Sequence, residues 1–115
     1  MSQRAKGKDI TYAAIMLCMI ASFADKGTED IFDGRGTRQA RAKCPAGLWP
    51  IARRKLDQIN RVQSPVELRL PPGNRMEKLS GDRAGQYSIR INDQYRICFR
   101  WEDDHADAVE ITDYH

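Results

Sequence analysis

Apolar and polar positions alternate most regularly in the second half of the chain. Tyr87, Ile89 and Ile91 alternate with Ser88, Arg90 and Asn92. After Asn92-Asp93-Gln94, the residues Tyr95, Ile97, Phe99 and Trp101 alternate with Arg96, Cys98 and Arg100. Period two predicts two half-buried strands. A loop of Asn92 to Gln94 pairs Ile91 with Tyr95 and places the apolar residues on one shared face. Val109 and Ile111 against Glu110 and Thr112 predict a last strand, Ile20 to Phe23 a short first one, and Arg75 to Leu79 another, followed by a turn at Ser80-Gly81-Asp82. Elsewhere the period changes. Leu48, Ile51, Ala52, Leu56 and Ile59 recur at helical spacing, which predicts an amphipathic helix. Pro50 is tolerated only in a first turn, so that helix starts near Trp49–Pro50. Thr28 is read as the cap of a brief helix carrying Ile31 and Phe32, which stops at Gly34 before the loop Gly34-Arg35-Gly36. Residues 37–47 are helical or irregular. Pro65, Pro71, Pro72, Gly73 and Asn74 make a rigid connection. A strand, then helices, then antiparallel strands indicate an α+β fold, a twisted sheet with helices against one face.

Composition bounds this picture without changing it. The chain has 115 residues, 41% hydrophobic and 30% charged, which suits a single core. The net charge is +3, and three basic residues (Arg4, Lys6, Lys8) precede Met19, so charge alone argues weakly for an anionic partner. Cys18, Cys44 and Cys98 are an odd count without C-x-x-C spacing, which reads as free thiols in a reducing compartment and no zinc site. Arg4, Lys6 and Lys8 followed by the apolar run Ile10 to Ala21 trace the outline of a secretory signal, although the run is too short for a membrane span.

The strand register has a chemical consequence. It places Arg90 directly across from Arg96 on the face away from the helices, and opposed like charges destabilise a strand pair. An anion lying across the face relieves the repulsion; the bland alternative is a solvated face whose arginines splay apart. Arg100 and Tyr114 fall on the same side. The chain then closes on Asp113-Tyr114-His115, a carboxylate, a phenol and an imidazole. These suffice for metal-free acid–base chemistry, although a polar tail that happens to hold a histidine has the same composition. A second basic cluster, Arg53, Arg54, Lys55 and Arg61 with Arg38, Arg41 and Lys43 upstream, reads as a solvated helix face residue by residue. Collectively it suits RNA phosphates. Lys55 lies within the apolar stripe and is expected to snorkel. His105, in the acidic loop Glu102-Asp103-Asp104, is read as a bystander.

The stretch PPGNRMEKLSGDRAGQYSIRINDQYRICFRW from Pro71 to Trp101, followed by VEITDYH, resembles the HigB-type toxins of the RelE/ParE superfamily, with the likeness running from about Met19 to His115. The resemblance implies a RelE-like fold, a small twisted, mainly antiparallel sheet with N-terminal helices packed on one face. It implies a toxin domain over residues 19–115, with residues 1–18 an extension outside the fold. It also implies a ribosome-dependent, cytoplasmic mRNA endoribonuclease neutralised by a HigA-type helix-turn-helix antitoxin; the Asp and His residues form no recognisable metal set by spacing, so no metal and no cofactor are expected. Its other partners would be messenger RNA on the ribosome and ribosomal RNA, with no membrane. Carried over to matching positions, Asp113, Tyr114, His115 and Arg96 form the catalytic group, and Glu77 stands where some members have a histidine. Arg90, Arg100, Arg75, Arg53 and Arg54 are expected to hold RNA phosphates. Arg96→Ala is expected to abolish activity while leaving the fold intact. ParE-type relatives share the fold but inhibit gyrase without nuclease chemistry, and fold alone does not separate the two. A degenerate module that only binds its antitoxin is a third reading.

Overall fold

The computed structural model of the protein describes residues 20–114, so the readings made for residues 1–18, Met19 and His115 lie outside the described residues. Four strands form an antiparallel meander in chain order: β1 (Glu77–Lys78), β2 (Gln86–Arg90), β3 (Tyr95–Glu102) and β4 (His105–Asp113). Ile89 faces Ile97 and Ile97 faces Ile111, so the alternation becomes a continuous apolar row. Tyr87 stacks on Phe99 with ring centroids 6.0 Å apart. All four of Ile89, Ile97, Phe99 and Ile111 are buried, and truncating any of them to alanine should cost about 2–5 kcal/mol. The hairpin loop is the expected one. Asn92 Oδ1 accepts from the backbone N–H groups of Gln94 and Tyr95 at 2.9 and 2.8 Å, a side-chain turn that fixes the register.

Three helices cover the apolar face: α1 (Lys26–Asp33), α2 (Arg38–Lys43) and α3 (Trp49–Arg61). Helix α3 begins where Pro50 allows, and Ala52, Leu56 and Ile59 are its buried stripe. Residues 37–47 resolve into α2 and the start of a 3-10 turn over Ala46–Leu48. The cap of α1 is a correction. Asp25, not Thr28, is the capping residue, its Oδ1 accepting from the Thr28 N–H at 2.6 Å. Thr28 lies inside the helix, where its Oγ1 accepts from the Ile111 N–H at 3.1 Å and ties α1 to β4. The helix does stop at Gly34, in left-handed conformation with φ 81°. Buried Asp30 binds Lys26 Nζ at 2.7 Å and Thr37 Oγ1 at 2.6 Å, and Thr37 caps α2 by accepting from the Ala40 N–H. Hydrogen bonding from Lys26 and Thr37 holds the Asp30 carboxyl below its usual range. Gly27 lets α1 and α2 touch, since a Cβ there would lie 2.3 Å from the Gln39 carbonyl oxygen.

Two further expectations are corrected. The strand read over 75–79 shrinks to Glu77–Lys78, because Pro72–Asn74 forms a 3-10 turn and Arg75 ends it in left-handed conformation with φ 44°. The first strand is reduced to two parallel bridges, Ile20 to Ala106 and Phe23 to Val109. A bulge in β4, with Ala108 at φ 50°, interrupts the pairing between them. Ser22 fills that interruption: its Oγ accepts from the Ala108 N–H at 2.9 Å and donates to Asp107 Oδ1 at 2.5 Å.

Candidate functional site: an arginine cleft

On the sheet face opposite the helices, β2 and β3 bring Arg90 across from Arg96, as the alternation required. A cleft of about 300 Å³ opens at this end of the sheet, lined by Arg75, Arg90, Asn92, Asp93, Arg96 and Tyr114. Each wall has a local cause. The left-handed turn at Arg75 follows the Pro-Pro-Gly-Asn stretch and aims the Arg75 carbonyl at Arg96, whose Nη2 donates to it at 2.6 Å. The β2–β3 turn supplies Asn92 and Asp93, and β4 delivers Tyr114. The Tyr114 N–H donates to the Gln94 carbonyl at 2.6 Å, and Gln94 Nε2 donates to Asp113 Oδ2 at 3.2 Å, which fastens this end of β4 to the hairpin.

Arg96 is the centre of the arrangement and differs from its reading in the sequence. It is only 8% exposed. Its Nε donates to Ser88 Oγ at 2.8 Å, and its guanidinium lies 5.8 Å from the Tyr114 ring centroid. Among the described residues no carboxylate comes within ion-pair distance of it. Arg96→Ala is therefore not neutral for folding, because Ser88 is itself fully buried and loses its partner. Arg90 is held by Asp93 in an ion pair across the turn, so the opposed arginines are partly screened from each other.

The remaining expected residues fall in several places. Arg75, Arg90, Arg96 and Tyr114 come together in the cleft. Asp113 adjoins it through Gln94, and His115 lies outside the described residues. Glu77 is exposed on edge strand β1 opposite Ser88, on the arginine face but not among the cleft walls. Arg100 is exposed further along β3, opposite Gln86 and Asp107. Arg53 turns toward α1, its Nε donating to the Ile31 carbonyl at 3.2 Å, and Arg54 lines a separate cleft beside α3. Lys55 does snorkel, reaching Asn74 Oδ1. Sequence reasoning missed Ser88, Asn92, Asp93 and the buried Asn74. Only Asn92-Asp93 carried a usable signal, as turn residues flanked by opposed arginines.

An antiparallel meander backed by helices on one face and walled by arginines on the other defines the class of small RelE-like proteins. The structure is similar to a chain of the YoeB-YefM complex from Staphylococcus aureus, with a TM-score of 0.50 and 22% identity, covering 84% of this chain and 94% of that one, a likeness of fold. In sequence, the chain is 36% identical over 96 residues to Toxin HigB-1 of Vibrio cholerae, covering 84% of this chain and 94% of the relative. It is 36% identical over 70 residues to an uncharacterized protein of Haemophilus influenzae, covering 61% and 69% of the two chains. The family model for HigB-like toxins, described as RelE-like toxin of type II toxin-antitoxin system HigB, matches residues 21–115. The chain belongs to this family, whose toxins are ribosome-dependent mRNA endoribonucleases. No helix among the described residues is long and apolar enough to cross a membrane.

Proposed function

We propose that the protein cleaves messenger RNA in the ribosome by attack of the RNA's own 2′-hydroxyl on the adjacent phosphorus, without a metal. The observation that carries this reading is Arg96, a buried guanidinium with no carboxylate partner among the described residues, at the floor of an arginine-walled cleft. Burying an unpaired charge costs several kcal/mol. A phosphodiester entering the cleft supplies the missing anion.

The chemistry follows from the groups at hand. Removing the 2′-hydroxyl proton gives an oxyanion that bonds to phosphorus. The phosphorane that results carries extra negative charge on its equatorial oxygens, and Arg96, Arg75 and Arg90 are preorganised to stabilise it. The P–O5′ bond breaks as a proton reaches the departing 5′-oxygen, leaving a 2′,3′-cyclic phosphate and a free 5′-hydroxyl. Asp113 or Tyr114 is assigned to the 2′-hydroxyl and His115 to the leaving oxygen, with Glu77 and Arg100 as flanking groups. Arg54 is assigned to an RNA phosphate, and Arg53, with Arg38, Arg41 and Lys43, to ribosomal RNA. A protein that acts on translated messages would work in the cytoplasm, and this is the proposed location. A HigA-type helix-turn-helix antitoxin is the proposed neutralising partner, in keeping with the toxin–antitoxin family to which the chain belongs.

Primer extension on translated messages, after induction without antitoxin, tests the reading. Discrete cuts that vanish in Tyr114→Phe and Arg90→Gln are expected. Gyrase poisoning with intact messages would replace this reading with the ParE-type one.

A further inference from the structure

A second cleft, of about 460 Å³, lies beside the first, and its lining includes Arg54, Lys55, Asp57, Arg61 and Asn74. Three cations there face one carboxylate. Lys55 is half-buried, and among the described residues no carboxylate comes within ion-pair distance of it. Its Nζ instead donates to Asn74 Oδ1 at 2.5 Å. Asn74 is fully buried, and its Nδ2 donates to Gln58 Oε1 at 3.0 Å and to the Leu68 carbonyl at 3.1 Å. The acceptor that holds the ammonium is thus fixed from behind. Burial first, and then the charges of Arg54 and Arg90, pull the Lys55 pKa below its ordinary value. A half-buried cation among cations is unfavourable on its own, and an anion in the cleft offsets that cost by direct attraction to all of them.

The two clefts adjoin. Asn74 lines one and Arg75 the other, and Arg90 in the first cleft acts electrostatically on Lys55 in the second. A single RNA strand presents phosphates in succession, which suits two neighbouring cationic clefts. We infer that the Lys55 cleft is a second phosphodiester subsite, in which Lys55 and Arg54 hold the linkage next to the one that is cut. Contacts of this kind fix the register of the strand and leave its bases unread. The inference rests on the nuclease reading above.

The test uses the full chain and a short synthetic message programmed on ribosomes. Uncharged methylphosphonates replace the linkages on either side of the cut, one at a time. At one of those positions the parental kcat/KM should fall about tenfold, the scale of one charge-assisted contact. Lys55→Gln should lose about tenfold on the unmodified message and nothing more on the modified one. The glutamine keeps an N–H for Asn74, and an unchanged melting temperature verifies the fold. Exposed Arg54→Gln should behave alike with a smaller factor. Parental rates in Lys55→Gln would overturn the inference. So would a neutral linkage that costs Lys55→Gln as much as the parent at every position, since the cleft would then hold ribosomal RNA. If the parent itself cuts nothing, the nuclease reading falls and the subsite falls with it.

Discussion

Arg96→Ala is the most informative single change, because sequence and structure disagree about it. Strand pairing alone says that removing one of two opposed arginines relieves repulsion. The structure says that the side chain is structural as well as cationic. Its loss leaves the fully buried Ser88 hydroxyl without its 2.8 Å donor and the Arg75 carbonyl without its 2.6 Å donor. Arg75 is exposed, so its carbonyl recovers water; Ser88 does not. An unsatisfied buried hydroxyl costs about 1–3 kcal/mol. Lost packing of the arginine stem adds roughly 1 kcal/mol. Relief of cross-strand repulsion returns at most about 1 kcal/mol, and less here because Asp93 already screens Arg90. The net is a destabilisation of about 2 kcal/mol, which in a domain of this size lowers the melting temperature by roughly 6–10 °C. Thermal unfolding followed by circular dichroism measures it. Arg96→Lys should fall between parent and alanine, since an ammonium cannot span acceptors as a planar guanidinium does. A melting temperature within about 1 °C of the parent for Arg96→Ala would refute the reasoning and restore the view of Arg96 as a free surface charge.

Gly27→Ala should destabilise by about 1–3 kcal/mol in chemical denaturation, since the new methyl group would sit 2.3 Å from the backbone oxygen of Gln39 and force α1 off α2. Asp30 titrates below its usual 3.8, so the stability it contributes is complete above that value and disappears as pH falls through the lower folded-state value. Asp30→Asn should therefore be less stable at neutral pH but lose less stability below pH 4, as read from denaturation midpoints against pH. Asp93→Asn frees Arg90 from its intramolecular carboxylate and should raise kcat/KM on ribosome-bound message by about threefold, the scale of an exposed ion pair; a fall would show that the pair shapes the cleft instead of competing with RNA.

The features legible in the sequence are those set by short periods. Alternation through Tyr87–Trp101 fixed the β2–β3 register to the residue, including Arg90 opposite Arg96. Pro50 marked the start of α3, and Gly34 the end of α1. Misread features depend on partners far away in the chain. Thr28 looks like a cap until Ile111, from the last strand, claims its hydroxyl. Arg75 looks like the start of a strand until its carbonyl is needed by Arg96. Asn74 reads as a polar loop residue, yet it is fully buried because Gln58, Leu68 and Lys55 all converge on it. In the site, the positions of the arginines were readable and their hydrogen-bond partners were not.

The parallel bridges from Ile20 and Phe23 to β4 govern the order in which a new chain can complete itself. Residues 20–24 are made before their partners, Ala106 and Val109, which follow more than eighty residues later. Contacts so distant along the chain form slowly and late. A nascent chain that has reached the end of β3 already carries Arg90 and Arg96, but it lacks Tyr114, and the Ala21 and Ala24 N–H groups lack their acceptors on Ala106 and Val109. The cleft therefore cannot be assembled while β4 is still being made. On the proposed mechanism, the ribosome that synthesises this chain meets a complete arginine cleft only once the β4 end has been made and has folded.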